Sequence, residues 1–241
     1  MNYVIILAAG FGSRFKNFKI PKQFLYLSKT ETILSLSIKK FLLKEVDEIL
    51  VVANKNFLKN TEKIINKVIE ENKDWKINIC VGGTTRNESL QKGISWLNKN
   101  KILKDKDILL THDAARPFVD KEIILKNIKL TKKYGACSTG IKSIDTIAKL
   151  SKDVIANVLN RDEHILEQTP QTFNWKIAKN VYLNANKKLL SKYTDACGLL
   201  KHFNYKIGFV LGSSKNIKIT NEIDLKIAKL IYKTTKYNFE F

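Results

Sequence analysis

Asn2-Tyr3-Val4-Ile5-Ile6-Leu7-Ala8-Ala9-Gly10-Phe11-Gly12-Ser13-Arg14 opens the chain with an unbroken apolar run that stops at a glycine turn. A run without polar alternation is the pattern of a strand covered on both faces, and such strands belong to parallel sheets. The pattern returns at residues 48–53, at 77–81 where it runs into Gly82-Gly83, and at 108–111 where it ends on His112-Asp113. Between these runs the apolar residues take helical spacing. Ile33, Leu34, Leu36, Ile38, Phe41 and Leu42 mark a helix over 31–43, residues 57–71 a second, and Leu90, Ile94 and Leu97 a third over 88–98. Strands alternating with such helices predict βαβ units: an α/β protein with a mostly parallel sheet and helices on both faces.

The middle of the chain breaks this rhythm. Residues 136–141, 145–150 and 154–159 are short strand-like pieces with no long helix between them. They predict a β arm at about 137–160 that leaves the main sheet and pairs with a second subunit. Helices are expected over 174–189 and 194–203, a strand over 207–211 and a closing helix over 222–237. With no fixed-period repeat and no Pro/Ser-rich linker, residues 1–241 read as one domain carrying one arm.

Composition narrows the class. Hydrophobic residues are 44% and charged residues 27% of 241, enough apolar material for a full core, which excludes a disordered chain or a stapled mini-protein. Cys80, Cys137 and Cys197 are widely spaced and odd in number, a pattern without a disulfide framework that points to a reducing cytoplasm. No apolar run reaches a membrane span and no signal-peptide pattern is visible, so a soluble, unexported protein without a membrane partner is expected. The formal charge is +20, but the lysines are spread along the chain and form no stripe, so a nucleic-acid partner is not expected. Four of the 43 basic residues are arginine: Arg14, Arg86, Arg116 and Arg161. All four fall in unusual segments, where a planar fork for phosphate or carboxylate would be of use.

Open parallel sheets bind ligands at the carboxyl ends of their strands, and three such ends are distinctive. Leu7–Arg14 joins small residues to Arg14, with Pro21-Lys22-Gln23 following. Small residues let backbone N–H groups approach a phosphate, and Arg14 and Lys22 supply charge. Neither the P-loop spacing nor the GxGxxG fingerprint is present, since Phe15 stands where the third glycine would be. Gly82–Ser89 could read a nucleobase edge, or could be an ordinary helix start capped by Thr85 or Asn87. Thr111–Phe118 places Asp113 at a buried strand end beside Arg116. A single carboxylate there suits Mg²⁺ bridging phosphate oxygens. His112 reads as a packed core histidine before it reads as a base.

In order along the chain, LAAGFGSRF, PKQF, GGTTRNES, THDAARPF, IDT, NRD, QTPQTF, TDAC and NIKIT resemble the cytidylyltransferases that activate small polyol phosphates with CTP. The family includes enzymes acting on 2-C-methyl-D-erythritol 4-phosphate and on ribitol 5-phosphate, and the likeness runs from about residue 3 to about 230. It implies a Rossmann-like domain with a projecting β arm, a homodimer formed through that arm, CTP as co-substrate and Mg²⁺. It implies that Leu7, Ala8, Ala9, Gly10, Gly12, Gly83, Thr84, Arg86, Ser89 and Ala114 hold the nucleotide. Arg14, Lys22 and Lys218 would act on the reacting phosphates, and Asp113 would hold the metal. Asp113, Arg116, Thr146, Arg161 and Thr169 would bind the alditol phosphate, Thr146 and Arg161 from the neighbouring subunit's arm. Residues 86–89, 111–113 and 194–197 look like the ribitol members, although Ala8-Ala9-Gly10-Phe11-Gly12 is shared with the methylerythritol members. Ribitol 5-phosphate is therefore the favoured acceptor; methylerythritol 4-phosphate and another alditol phosphate are the alternatives. Outside this family, the rivals are a pyrophosphorylase using UTP or GTP and a basic RNA-binding module.

Overall fold

Apolar side chains that alternate along buried strands must be covered twice, and the computed structural model, which describes residues 1–11 and 20–237, shows both covers. β1 (Asn2–Ala8), β2 (Glu48–Ala53), β3 (Ile77–Val81) and β4 (Ile108–Asp113) pair in parallel, in the spatial order β3-β2-β1-β4. β8 (Ile165–Asn174) and β5 (Ala136–Lys142) follow as antiparallel neighbours, and β9 (Gly208–Leu211) closes the seven-stranded sheet in parallel with β5. Val4 and Ile6 of β1 face α1 (Ile33–Lys39), α2 (Leu58–Glu71) and α4 (Lys121–Tyr134). Ile5 packs on the other face among side chains of α3 (Arg86–Asn100), α5 (Trp175–Tyr182) and α7 (Ala196–His202). Each fully buried isoleucine contributes about 1.5–3 kcal/mol. α6 (Lys187–Lys192) adds Leu190 to the second layer, and α8 (Glu222–Tyr237) packs Leu225 and Ala228 against Phe118 and Ile219.

The sequence reading needs four corrections. It omitted α4, an amphipathic helix that ends where Gly135 takes φ +82°, a backbone conformation favouring glycine. It also omitted β8, whose buried Gln168, Thr169, Gln171 and Thr172 hide the strand from any apolar pattern. Residues 136–142 are β5, inside the main sheet, so the excursion starts after Lys142. The helix expected over 174–189 is two helices, because the Asn186 side chain accepts from Leu189 N and caps a new start.

The excursion is a hairpin of β6 (Ile147–Ser151) and β7 (Val154–Leu159), which form a two-stranded sheet of their own. Ile144, Leu150, Val154, Ile155 and Val158 on and beside it are exposed. No helix among the described residues is long and apolar enough to cross a membrane.

Candidate active site

The carboxyl ends of β1 and β4 and the loop after β3 converge on one pocket. It is lined by Leu7, Ala8, Ala9, Gly10, Lys22, Gly83, Thr84, Arg86, Ser89, Asp113, Ala114 and Lys218, all expected from the sequence. Phe11, Gln23, Thr85, Ala115 and Thr220 also line it and were not foreseen. Gly12 and Arg14 lie outside the described residues. Thr146 and Arg161 are exposed at the arm and do not line the pocket; the Arg161 guanidinium donates to Ile144 O at 3.2 Å. Arg116 and Thr169 stand behind the pocket wall as supports.

Local chemistry shapes each wall. Gln23 follows Pro21 in a short 3-10 turn, and its Nε2 donates to Ala8 O at 2.7 Å and Gly10 O at 3.2 Å, pinning the glycine turn from below. Lys22 Nζ donates to Ile219 O at 2.7 Å, tying the turn to the segment that carries Lys218. A Cβ on Gly82 would lie 2.5 Å from Ala9 Cβ on the facing loop, and one on Gly83 would collide with Glu88 in the first turn of α3. Only glycine lets the two loops meet so closely. Thr85 caps α3 by accepting from Glu88 N, Glu88 accepts from Thr84 N and Oγ1, and Ser89 Oγ accepts from Gly83 N. The ordinary cap and the expected base-reading turn are the same structure.

Asp113 ends β4 inside a cationic wall. Its Oδ1 accepts from Arg86 Nε at 2.9 Å, and its Oδ2 is 2.7 Å from Lys218 Nζ. Burial pushes its carboxyl up, but Arg86, Lys218 and Arg116 outweigh that and hold it well below the usual carboxylate range. Behind it, Asp113 N donates to Thr169 Oγ1 at 3.1 Å, Thr169 Oγ1 is 3.0 Å from His112 Nδ1, and His112 Nε2 is 2.9 Å from Arg116 O. A carbonyl only accepts, so Nε2 carries the hydrogen and Nδ1 accepts from the Thr169 hydroxyl. Burial lowers the His112 pKa to about 4, and the ring is a neutral core member.

Arg116 donates to Asn216 O at 2.8 Å and Glu167 O at 3.3 Å, which fastens β8 to the Lys218 segment. Among the described residues, Arg86 Nη1 and Nη2 and Arg116 Nε are buried without a hydrogen-bond partner, donors suited to oxygen-rich ligands. The sequence reading assigned no role to Glu167, Gln171 or Asp195. Gln171 Nε2 donates to Glu167 Oε2 at 2.7 Å and to Asp195 Oδ2 at 2.8 Å, and Cys197 completes a cluster with the two carboxylates. Burial pushes the Cys197 thiol up, so it is a poor nucleophile. The motifs QTPQTF and TDAC were the signal for this cluster, but nothing in either says they touch.

Comparison with known proteins places this geometry. The family model of 2-C-methyl-D-erythritol 4-phosphate cytidylyltransferase matches residues 2–234. The chain is 36% identical over 232 residues to a ribitol-5-phosphate cytidylyltransferase of Lactiplantibacillus plantarum, covering 96% of this chain and 98% of that protein. Its fold is similar to the solved 4-diphosphocytidyl-2C-methyl-D-erythritol synthase of Anaerococcus prevotii, with TM-score 0.75, 29% identity and 96% of each chain covered. It is also similar to 2-C-methyl-D-erythritol 4-phosphate cytidylyltransferase of Francisella tularensis, with TM-score 0.74, 32% identity, and 95% of this chain and 99% of that one covered. An α/β sheet whose strand ends gather Lys22, Arg86 and Lys218 around one pocket, matched over almost its whole length, belongs to a nucleotidyltransferase: the chain is a member of the 2-C-methyl-D-erythritol 4-phosphate cytidylyltransferase family.

Proposed function

We propose that this enzyme transfers CMP from CTP to ribitol 5-phosphate, forming CDP-ribitol and releasing pyrophosphate. The observation that carries the acceptor is the 36% identity over 96% of the chain to a ribitol-5-phosphate cytidylyltransferase. Methylerythritol 4-phosphate is the second reading, favoured by the family model and by the two solved relatives.

The reaction needs charge neutralisation more than proton transfer. The attacking phosphate monoester is already ionised near neutral pH, since its second pKa is about 6. Its oxygen forms the new bond to the α-phosphorus as the bond to the pyrophosphate oxygen breaks. Lys22, Lys218 and Arg14 offset the repulsion between the two polyanions and align attacker and leaving group. The glycine turn of β1 and the Gly83–Ser89 turn hold the nucleotide. The donor set also fits a hard divalent cation, one carboxylate on a rigid strand end facing a phosphate pocket. Asp113 would hold Mg²⁺, which would supply further phosphate neutralisation. His112 stays neutral and supports Asp113 through Thr169.

The exposed apolar arm supports a homodimer in which Thr146 and Arg161 reach the partner's acceptor site. The chain is read as one domain, and its three free cysteines support a cytoplasmic location. Pyrophosphate release from CTP and Mg²⁺, with ribitol 5-phosphate and methylerythritol 4-phosphate in parallel, tests the reading. Turnover with ribitol 5-phosphate alone is expected. Turnover with methylerythritol 4-phosphate alone would transfer the assignment to the second reading, and silence with both would overturn both acceptors.

A further inference from the structure

Lys218 sits on a segment, residues 212–221, that has no helix or strand of its own, so its place depends on the side chains that hold that segment. One end is held at Asn216, which is fully buried. Its carbonyl accepts from Arg116 Nη1 at 2.8 Å, and its Nδ2 donates to Thr169 O at 2.9 Å. Just after Lys218, Ile219 N donates to Ala115 O at 2.9 Å, and Ile219 O accepts from Lys22 Nζ at 2.7 Å. The other end is Thr220, which lines the pocket and is held by Asp224 in the first turn of α8.

Asp224 does more than start a helix. An ordinary capping pair exchanges two bonds, and both are present: Asp224 N donates to Asn221 Oδ1 at 2.9 Å, and Asn221 N donates to Asp224 Oδ2 at 3.1 Å. The same Oδ2 also accepts from Thr220 N at 2.7 Å and from Thr220 Oγ1 at 2.6 Å, one residue further into the pocket wall. Bonds of this kind to a carboxylate are about twice as strong as neutral ones. Burial pushes the Asp224 carboxyl up, but the donors on Thr220 and Asn221 and the nearby Lys22 charge outweigh that and hold it below the usual carboxylate range. Among the described residues, Asp224 is not one of those lining the pocket. It touches the wall and not the contents.

We infer that Asp224 is a positioning residue for CMP transfer: by anchoring Thr220 it fixes where Lys218, two residues earlier, and Lys22, bonded to Ile219 O between them, face the reacting phosphates. The inference rests on the phosphate role proposed for Lys218 and Lys22. A residue that only capped α8 would stabilise the helix and leave turnover alone.

The test compares Asp224→Ala with Asn221→Ala in thermal unfolding and in pyrophosphate release. Asn221→Ala removes the cap oxygen but leaves all the bonds to Asp224 Oδ2 in place. Each variant loses a cap, so each should lower Tm by roughly 2–4 °C. Only Asp224→Ala should lower kcat, by about tenfold to a hundredfold, as a displacement of about 1 Å at the phosphates implies. Asp224→Asn, which keeps an acceptor oxygen at the same place, should recover most of that loss. If Asp224→Ala does not fold, Asp224→Ser, whose shorter side chain draws back from Thr220, should show the same loss of kcat. Equal kcat in the Asp224→Ala (or Asp224→Ser) and Asn221→Ala proteins would overturn the inference, as would an Asp224→Asn protein as slow as Asp224→Ala. Lys218→Ala separates this from the reading beneath it. Undiminished turnover there would overturn both, whereas a slow Lys218→Ala beside a fast Asp224→Ala would overturn the positioning role alone.

Discussion

The strand-end pocket and the arm are built on opposite terms. Every wall of the pocket is braced from within its own chain: Gln23 under the glycine turn, Thr169 and His112 behind Asp113, Arg116 across to Asn216. Among the described residues the arm has no such bracing. β6 and β7 pair only with each other, and Leu150 and Val154 are 69% and 68% exposed. A hairpin that leaves this much apolar surface in water is marginal alone, and the proposed homodimer would cover it. On the proposed reading the pocket is the preformed half of the active site, and a second copy would complete the other half.

The comparison can be broken at either end. Lys22→Ala removes a cation from the preformed half and should lower kcat on the order of 10²–10³-fold in a pyrophosphate-release assay, like the loss of one oxyanion donor. Placing Leu150→Lys and Val154→Lys together on the arm should turn a dimer into a monomer by light scattering. Acceptor turnover should then fall by about 10², as expected when a reactant is held out of line, with CTP affinity unchanged. Arg161→Ala should keep the dimer and raise KM for the alditol phosphate about tenfold to a hundredfold, the worth of a charged hydrogen bond, again without changing CTP affinity.

The smallest effect concerns stability. His112 titrates near 6.5 when unfolded and near 4 when buried, so the unfolded chain binds the proton first as pH falls. Its contribution is intact above about 6.5 and is lost on going down to about 4, at up to roughly 1.4 kcal/mol for each pH unit. His112→Gln should flatten that part of the pH dependence of Tm, and an unchanged slope would place the acid sensitivity elsewhere.

What was legible in the sequence follows the same division. β1 to β4 are mostly apolar, and the segments at their ends carry glycines, Asp113 and Arg116, so that half of the sheet and the pocket could be read from local pattern. β8 could not. Its buried side chains are polar, and their partners are distant: Thr172 donates to Asn127, Thr169 O accepts from Asn216, and Gln171 meets Asp195. A strand stabilised by long-range hydrogen bonds leaves no periodic trace. Lys218 was reachable only through resemblance, because nothing near it says that its ammonium lands on Asp113. Arg116 and Thr169, which the resemblance assigns to the alditol phosphate, hydrogen-bond to Asn216 O and Asp113 N.

Subunit mixing addresses the central claim, that one chain's arm completes the pocket of the other. Lys22→Ala and Arg161→Ala proteins, each nearly inactive at low acceptor concentration, would be unfolded together, refolded at equal amounts and assayed for pyrophosphate release. If the arm acts across a two-fold interface, half of the dimers carry one intact site of two, and activity should return to about a quarter of wild type. If each arm serves its own pocket, no mixed dimer contains an intact site. Activity would then stay at the level of the separate variants, contradicting the account.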